Sequence, residues 1–98
     1  SGLMDVALPA SERARIERTL ATFGGDGVRF HALRTRQAGR RAFISVHVLV
    51  PGDWSVKAAH DYSERIEAAL REQFPHVNVT THLEPIEDPL SMADESLV

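Results

Sequence analysis

The stretch Arg41-Ala42-Phe43-Ile44-Ser45-Val46-His47-Val48-Leu49-Val50 decides the fold. Successive strand side chains point to opposite faces, so Ala42, Ile44, Val46, Val48 and Val50 line one apolar face. Phe43, Ser45, His47 and Leu49 line the other, which mixes polar and apolar residues and is not expected to be fully wet. A strand with one wholly apolar face needs a layer packed against it. Upstream, residues 27–37 read as a second strand, with Val28, Phe30 and Ala32 on one side and Arg29, His31 and Leu33 on the other. Ala38-Gly39-Arg40 is the turn between them. Downstream, Pro51-Gly52-Asp53 breaks the strand.

The covering layer is legible on both sides. Residues 11–23 read as a helix with Ser11 as N-cap after Pro9 and an apolar stripe of Ile16, Leu20 and Phe23. Gly24-Gly25-Asp26-Gly27 stops it and reads as a turn, since it follows a helix and lacks the geometry of a phosphate loop. Ser55 caps a second helix over residues 56–74, with a core stripe of Val56, Ala59, Ser63, Ile66 and Leu70. Trp54 beside the cap reads as a packing residue, and Asp61, Glu64 and Glu67 as a solvated helix face. Pro75 ends the helix. Residues 76–84 form a third strand, with Val77, Val79, Thr81 and Leu83 on one face. The order α-β-β-α-β predicts an α+β sandwich with two helices on one face of a three-stranded sheet. The helices should cover Ile44, Val46, Val48, Val77, Val79 and Leu83 and leave the opposite face free.

That free face carries His31, His47, His82 and Glu84. With a three-residue turn, paired positions on the hairpin sum to 78 and His31 sits opposite His47. Such cross-strand Cβ atoms are about 4.5–5.5 Å apart, and two imidazoles at that spacing can share an ion with Zn–N bonds of about 2.0–2.1 Å. His82 and Glu84, two apart, point the same way. His60 stands apart on the second helix and reaches the others only around a sheet edge or from a second copy of the chain. His76 reads as a surface residue after the Pro75 stop.

Other chemistry is excluded. The chain of 98 residues has no cysteine, so it has no disulfide, thiolate ligand or thiol nucleophile. There is no phosphate-loop, dinucleotide or HExxH motif. No apolar run approaches the roughly 20 residues needed to span a bilayer, so the chain as given is expected to be soluble. The net charge of -3 gives no cationic excess for nucleic acid, and Arg34, Arg36, Arg40 and Arg41 read as a solvated hairpin end.

The residues His31 to Gly39, Phe43 to His47, His60, Phe74-Pro75 and Val79-Thr80-Thr81-His82-Leu83-Glu84-Pro85 together resemble the C-terminal cytoplasmic domain of cation diffusion facilitator transporters, of the bacterial zinc and ferrous-iron efflux kind. The resemblance covers about residues 3–86. It implies a metallochaperone-like (ferredoxin-like) α-β-β-α-β fold, a homodimer, and no enzymatic activity. It further implies a location on the cytoplasmic side of the cell membrane, attached to a proton-coupled membrane domain. A divalent ion (Zn2+ first, with Fe2+, Cd2+ or Mn2+ as alternatives) would bind near the dimer interface, draw the copies together and promote transport. The family's metal site carries over onto His31, His47, His60, His82 and Glu84. The last position is usually Asp in the family, and the extra methylene of Glu84 moves the carboxylate outward by about one bond. On this reading residues 1–10 link to the last membrane helix (with Ser1-Gly2 a tag remnant), residues 11–85 are the domain, and residues 86–98 a flexible tail. The rival expectations are a free-standing metallochaperone-like module, a metal-dependent hydrolase using Glu84, and a metal-independent dimerisation domain.

Overall fold

The computed structural model describes residues 6–25 and 27–88. Five elements follow in order: α1 (Ala10–Ala21), β1 (Arg29–Ala38), β2 (Arg41–Val50), α2 (Val56–Gln73) and β3 (Val77–Pro85). The sheet order is β1-β2-β3. β1 and β2 pair antiparallel as a hairpin. β2 and β3 pair parallel, and α2 is the crossover that a parallel neighbour requires. This is the α-β-β-α-β sandwich expected from the sequence.

The core lies between the sheet and the two helices. Ile44, Val46 and Val48 of β2 are buried against Ile16 and Leu20 of α1 and Ala59, Ile66 and Leu70 of α2. Val77, Val79 and Leu83 of β3 pack partly buried against the same cluster. Ser55 caps α2 as expected, its Oγ accepting from the Ala58 amide at 3.0 Å. Trp54 is a packing residue: its ring meets Tyr62 edge-on at 5.3 Å, and Tyr62 meets Phe23 at 6.0 Å. The Tyr62 hydroxyl donates to the Phe23 carbonyl, which fixes the exit of α1 against α2.

Several local expectations are corrected. Ser11 lies inside α1 and is not its cap. The cap position is Pro9, whose carbonyl accepts from the Glu12 and Arg13 amides at 3.0 Å each. Val56 is no part of the core stripe; at 87% exposed it sits on the outer side of the first turn of α2. Glu67 is not merely solvated, because it accepts from the Thr81 hydroxyl at 2.5 Å and ties α2 to β3.

The hairpin holds the most instructive correction. Its loop has two residues, Gly39 and Arg40, since Ala38 pairs with Arg41. Gly39, at φ +61°, occupies the first loop position, where a two-residue type II′ hairpin favours glycine. This register alone would set His31 out of line with His47. Between the pairs Arg34↔Ser45 and His31↔His47, however, the register shifts: Ala32 and Leu33 together oppose Val46. Ala32 is left-handed at φ +53°, as a bulge with one extra residue can require. The shorter turn and the bulge offset one another, and His31 stands opposite His47 after all.

The segments flanking the domain are bonded where described. Leu8 is buried in the core and its amide donates to Thr35 Oγ1 at 3.2 Å. Val6 forms an antiparallel bridge with Gln37. The Ile86 amide donates to the Val50 carbonyl at 2.8 Å, and the Glu87 carboxylate accepts from the Gly52 amide at 2.9 Å. Residues 1–5 of the expected linker, residues 89–98 of the expected tail and Asp26 of the glycine-rich turn lie outside the described residues.

Candidate metal centre

The strand registers bring three histidines into one row. His31 pairs with His47 across the antiparallel ladder, and His47 pairs with His82 across the parallel one. Glu84 is abreast of Leu49, one step along the same face. Alternation does the rest: all four side chains are on the side opposite Ile44, Val46 and Val48.

Three of the four converge. Ligand atoms of His47, His82 and Glu84 all lie within 4.8 Å of one another. The rings of His47 and His82 meet edge-on with centroids 4.9 Å apart. His47 Nδ1 is 3.5 Å from Glu84 Oε1. Two ligands of a tetrahedral zinc ion with bonds near 2.0–2.1 Å stand about 3.3 Å apart, so the His47–Glu84 pair is near that spacing already. A rotation of the exposed His82 ring can close the rest.

Burial adds a second reason to expect a cation. The side chains of His47 and Glu84 are only 19% and 14% exposed. Glu84 Oε2 is buried and, among the described residues, has no hydrogen-bond partner. A buried acceptor left unsatisfied costs about 1–3 kcal/mol, more if charged. An ion at this position would satisfy it, and the donor set of two imidazoles and a carboxylate suits zinc or a similar divalent metal.

The other two candidates stand apart. His31 keeps its register opposite His47, but it borders the groove between α1 and β1, beside Arg13 and Glu17. His60 is exposed on α2, with Nε2 at 3.2 Å from Glu64 Oε1 in the next turn. It does line one groove with Glu84, formed by the start of α2, Trp54 and the end of β3. Leu49, on the histidine side of β2, is completely buried. The alternating pattern pointed to a partly dry second face through Phe43 and Leu49, but did not single out Leu49 as buried.

Residues 8–86 match the family described as the cytoplasmic domain of cation efflux proteins. The chain belongs to this family. An uncharacterized transporter of Synechocystis sp. is 52% identical over 91 residues, which is 93% of this chain and 29% of the relative. The cation-efflux pump FieF of Pectobacterium atrosepticum is 35% identical over 85 residues, 86% of this chain and 28% of the pump. The cation efflux domain thus spans less than a third of the length of these relatives. Among solved structures, the zinc form of CzrB, described as a putative zinc transporter, matches with a TM-score of 0.75 and 40% identity, covering 84% of this chain and 93% of that one. The metal-bound C-terminal domain of the CzcD transporter from Thermotoga maritima matches with a TM-score of 0.71 and 28% identity, covering 84% and 99%. The family is one of transport, not catalysis, which removes the hydrolase reading. No described helix of this cation efflux domain is long and apolar enough to cross a membrane.

Proposed function

We propose that this cation efflux domain is the metal-sensing and dimerisation domain of a divalent-cation exporter. Zinc or a similar ion, such as ferrous iron, binds at His47, His82 and Glu84, and binding promotes transport by the membrane part. The observation that carries this reading is the convergence of those three side chains, with one buried carboxylate oxygen unsatisfied. Metal-bound forms of similar domains support it.

The remaining ligands come from the second copy of a homodimer. Three ligands from one chain leave a tetrahedral ion one short. His60 is exposed and sits in the groove that ends at Glu84, and His31 ends the histidine row. An ion that gains ligands only when two copies approach has higher affinity for the closed arrangement and shifts the population toward it. Imidazole must be neutral to bind metal, so acid opposes the closed state. The absence of thiolates keeps affinity moderate, as a sensor of a fluctuating ion requires. Residues 1–10 connect this device to the membrane part.

Small-angle scattering with and without zinc tests the proposal. The expected result is a dimer whose radius of gyration falls on adding zinc, with no fall in the His82→Ala variant. A dimer whose shape ignores zinc would remove the sensing claim and leave a metal-independent dimerisation domain.

A further inference from the structure

Charge is segregated in this molecule. Residues 27–50, the β1–β2 hairpin with its approach, hold five arginines (Arg29, Arg34, Arg36, Arg40 and Arg41) and no acidic residue, in a chain of net charge -3. All five are exposed. Four of them gather at the turn end. Two hollows open there: one is lined by Arg34, Arg36, Ser45, Asn78 and Thr80, the other by Arg40, Arg41, His76 and Asn78. Among the described residues, neither is lined by a carboxylate. The Arg36 guanidinium lies over the Phe43 ring, 3.9 Å from its centroid. Guanidinium groups flanked by hydroxyl and amide donors suit phosphate oxygens.

The path of the chain gives this end an orientation. Val6 bridges Gln37, two residues before the turn glycine, with hydrogen bonds of 2.7 and 3.4 Å. The bridge is antiparallel to β1, so from Val6 onward the chain runs away from the turn. The histidine cluster lies further along the strands, at His47, His82 and Glu84, away from the turn.

We propose that the arginine end of the hairpin docks on anionic phospholipid headgroups of the membrane that carries the transporter. This rests on the reading that the membrane part precedes Val6. The entering chain then holds the arginine end nearest the bilayer, where the leaflet's negative potential acts on it. A basic cluster this close to an anionic surface gains affinity with each arginine, and the gain fades within a Debye length. Docking would hold each copy at a set height and leave the histidine face clear of the lipid for a second copy.

The test is co-sedimentation of the 98-residue chain with vesicles, in chelator. Phosphatidylcholine vesicles containing about 30% phosphatidylserine should retain the chain, and pure phosphatidylcholine should not. Arg40→Gln/Arg41→Gln, both in or beside the exposed turn, should bind the anionic vesicles roughly 20-fold more weakly with an unchanged circular dichroism spectrum. Raising salt from about 50 to about 200 mM should release the wild type. Equal retention on both vesicles, no retention on either, or an unaffected double variant would overturn the proposal. So would displacement by millimolar inorganic phosphate, which marks a free-anion site, or capture by duplex DNA without capture by vesicles. The arms are separable from the metal reading: the His82→Ala variant should bind anionic vesicles like the wild type, and Arg40→Gln/Arg41→Gln should bind zinc like the wild type. Loss of zinc binding alone sinks the sensor, and loss of vesicle binding alone sinks the docking.

Discussion

The two faces of one three-stranded sheet do opposite work, and the same ten residues of β2 serve both. On the helix side, Ile44, Val46 and Val48 are at most 1% exposed and belong to one hydrophobic cluster with both helices. On the other side, His47 and Glu84 are half-buried and polar, and among the described residues one carboxylate oxygen has no hydrogen-bond partner. The first face is complete within one chain. The second brings two imidazoles and a carboxylate together as a candidate metal site. The difference teaches where stability and function separate: burial of apolar area supplies the first, and the pleat delivers the second at no cost to packing.

The largest effect should come from the packed face. Ile66→Ala, at a site with no exposure on α2, should cost about 2–5 kcal/mol in denaturant unfolding. A similar cost from His82→Ala, which empties no core volume, would break the separation of the two faces. Next in size is the cap that sets α2 on the sheet. Ser55→Ala removes the acceptor for the Ala58 amide and should cost about 1 kcal/mol by the same measurement. The smallest effect should be at Val56. Val56→Ala should change stability by no more than about 0.5 kcal/mol. A loss near 2 kcal/mol there would return Val56 to the core stripe that the helical spacing suggested.

The contrast also shows what the sequence could carry. The alternation of β2 named its two faces, and the stripe Ala59, Ser63, Ile66, Leu70 named the buried side of α2, because both periods are local. Register across the hairpin is not local. A three-residue turn was expected from Ala38-Gly39-Arg40, whereas Gly39 at the first position of a two-residue loop already signals the tighter hairpin. The bulge at Ala32 and Leu33 has no glycine to announce it, since alanine takes the left-handed conformation there. Two unforeseen features offset each other, so the facing of His31 and His47 was reached through a register that does not exist. Side-chain convergence was less legible still. Spacing placed His31 as close to the site as His82, but strand pairing does not fix ring direction, and His31 lies instead along the groove beside α1. His60 could be placed on its helix from the sequence, yet its groove shared with Glu84 depends on how α2 packs beside the end of β3.

The central claim is that His47, His82 and Glu84 hold one divalent ion. Calorimetric titration of zinc into the wild type and into His47→Ala, His82→Ala and Glu84→Ala tests it directly. The account predicts saturable binding in the wild type and affinity lower by at least about tenfold in each variant, since loss of one of three ligands removes a metal bond. Wild-type affinity in all three variants would contradict it.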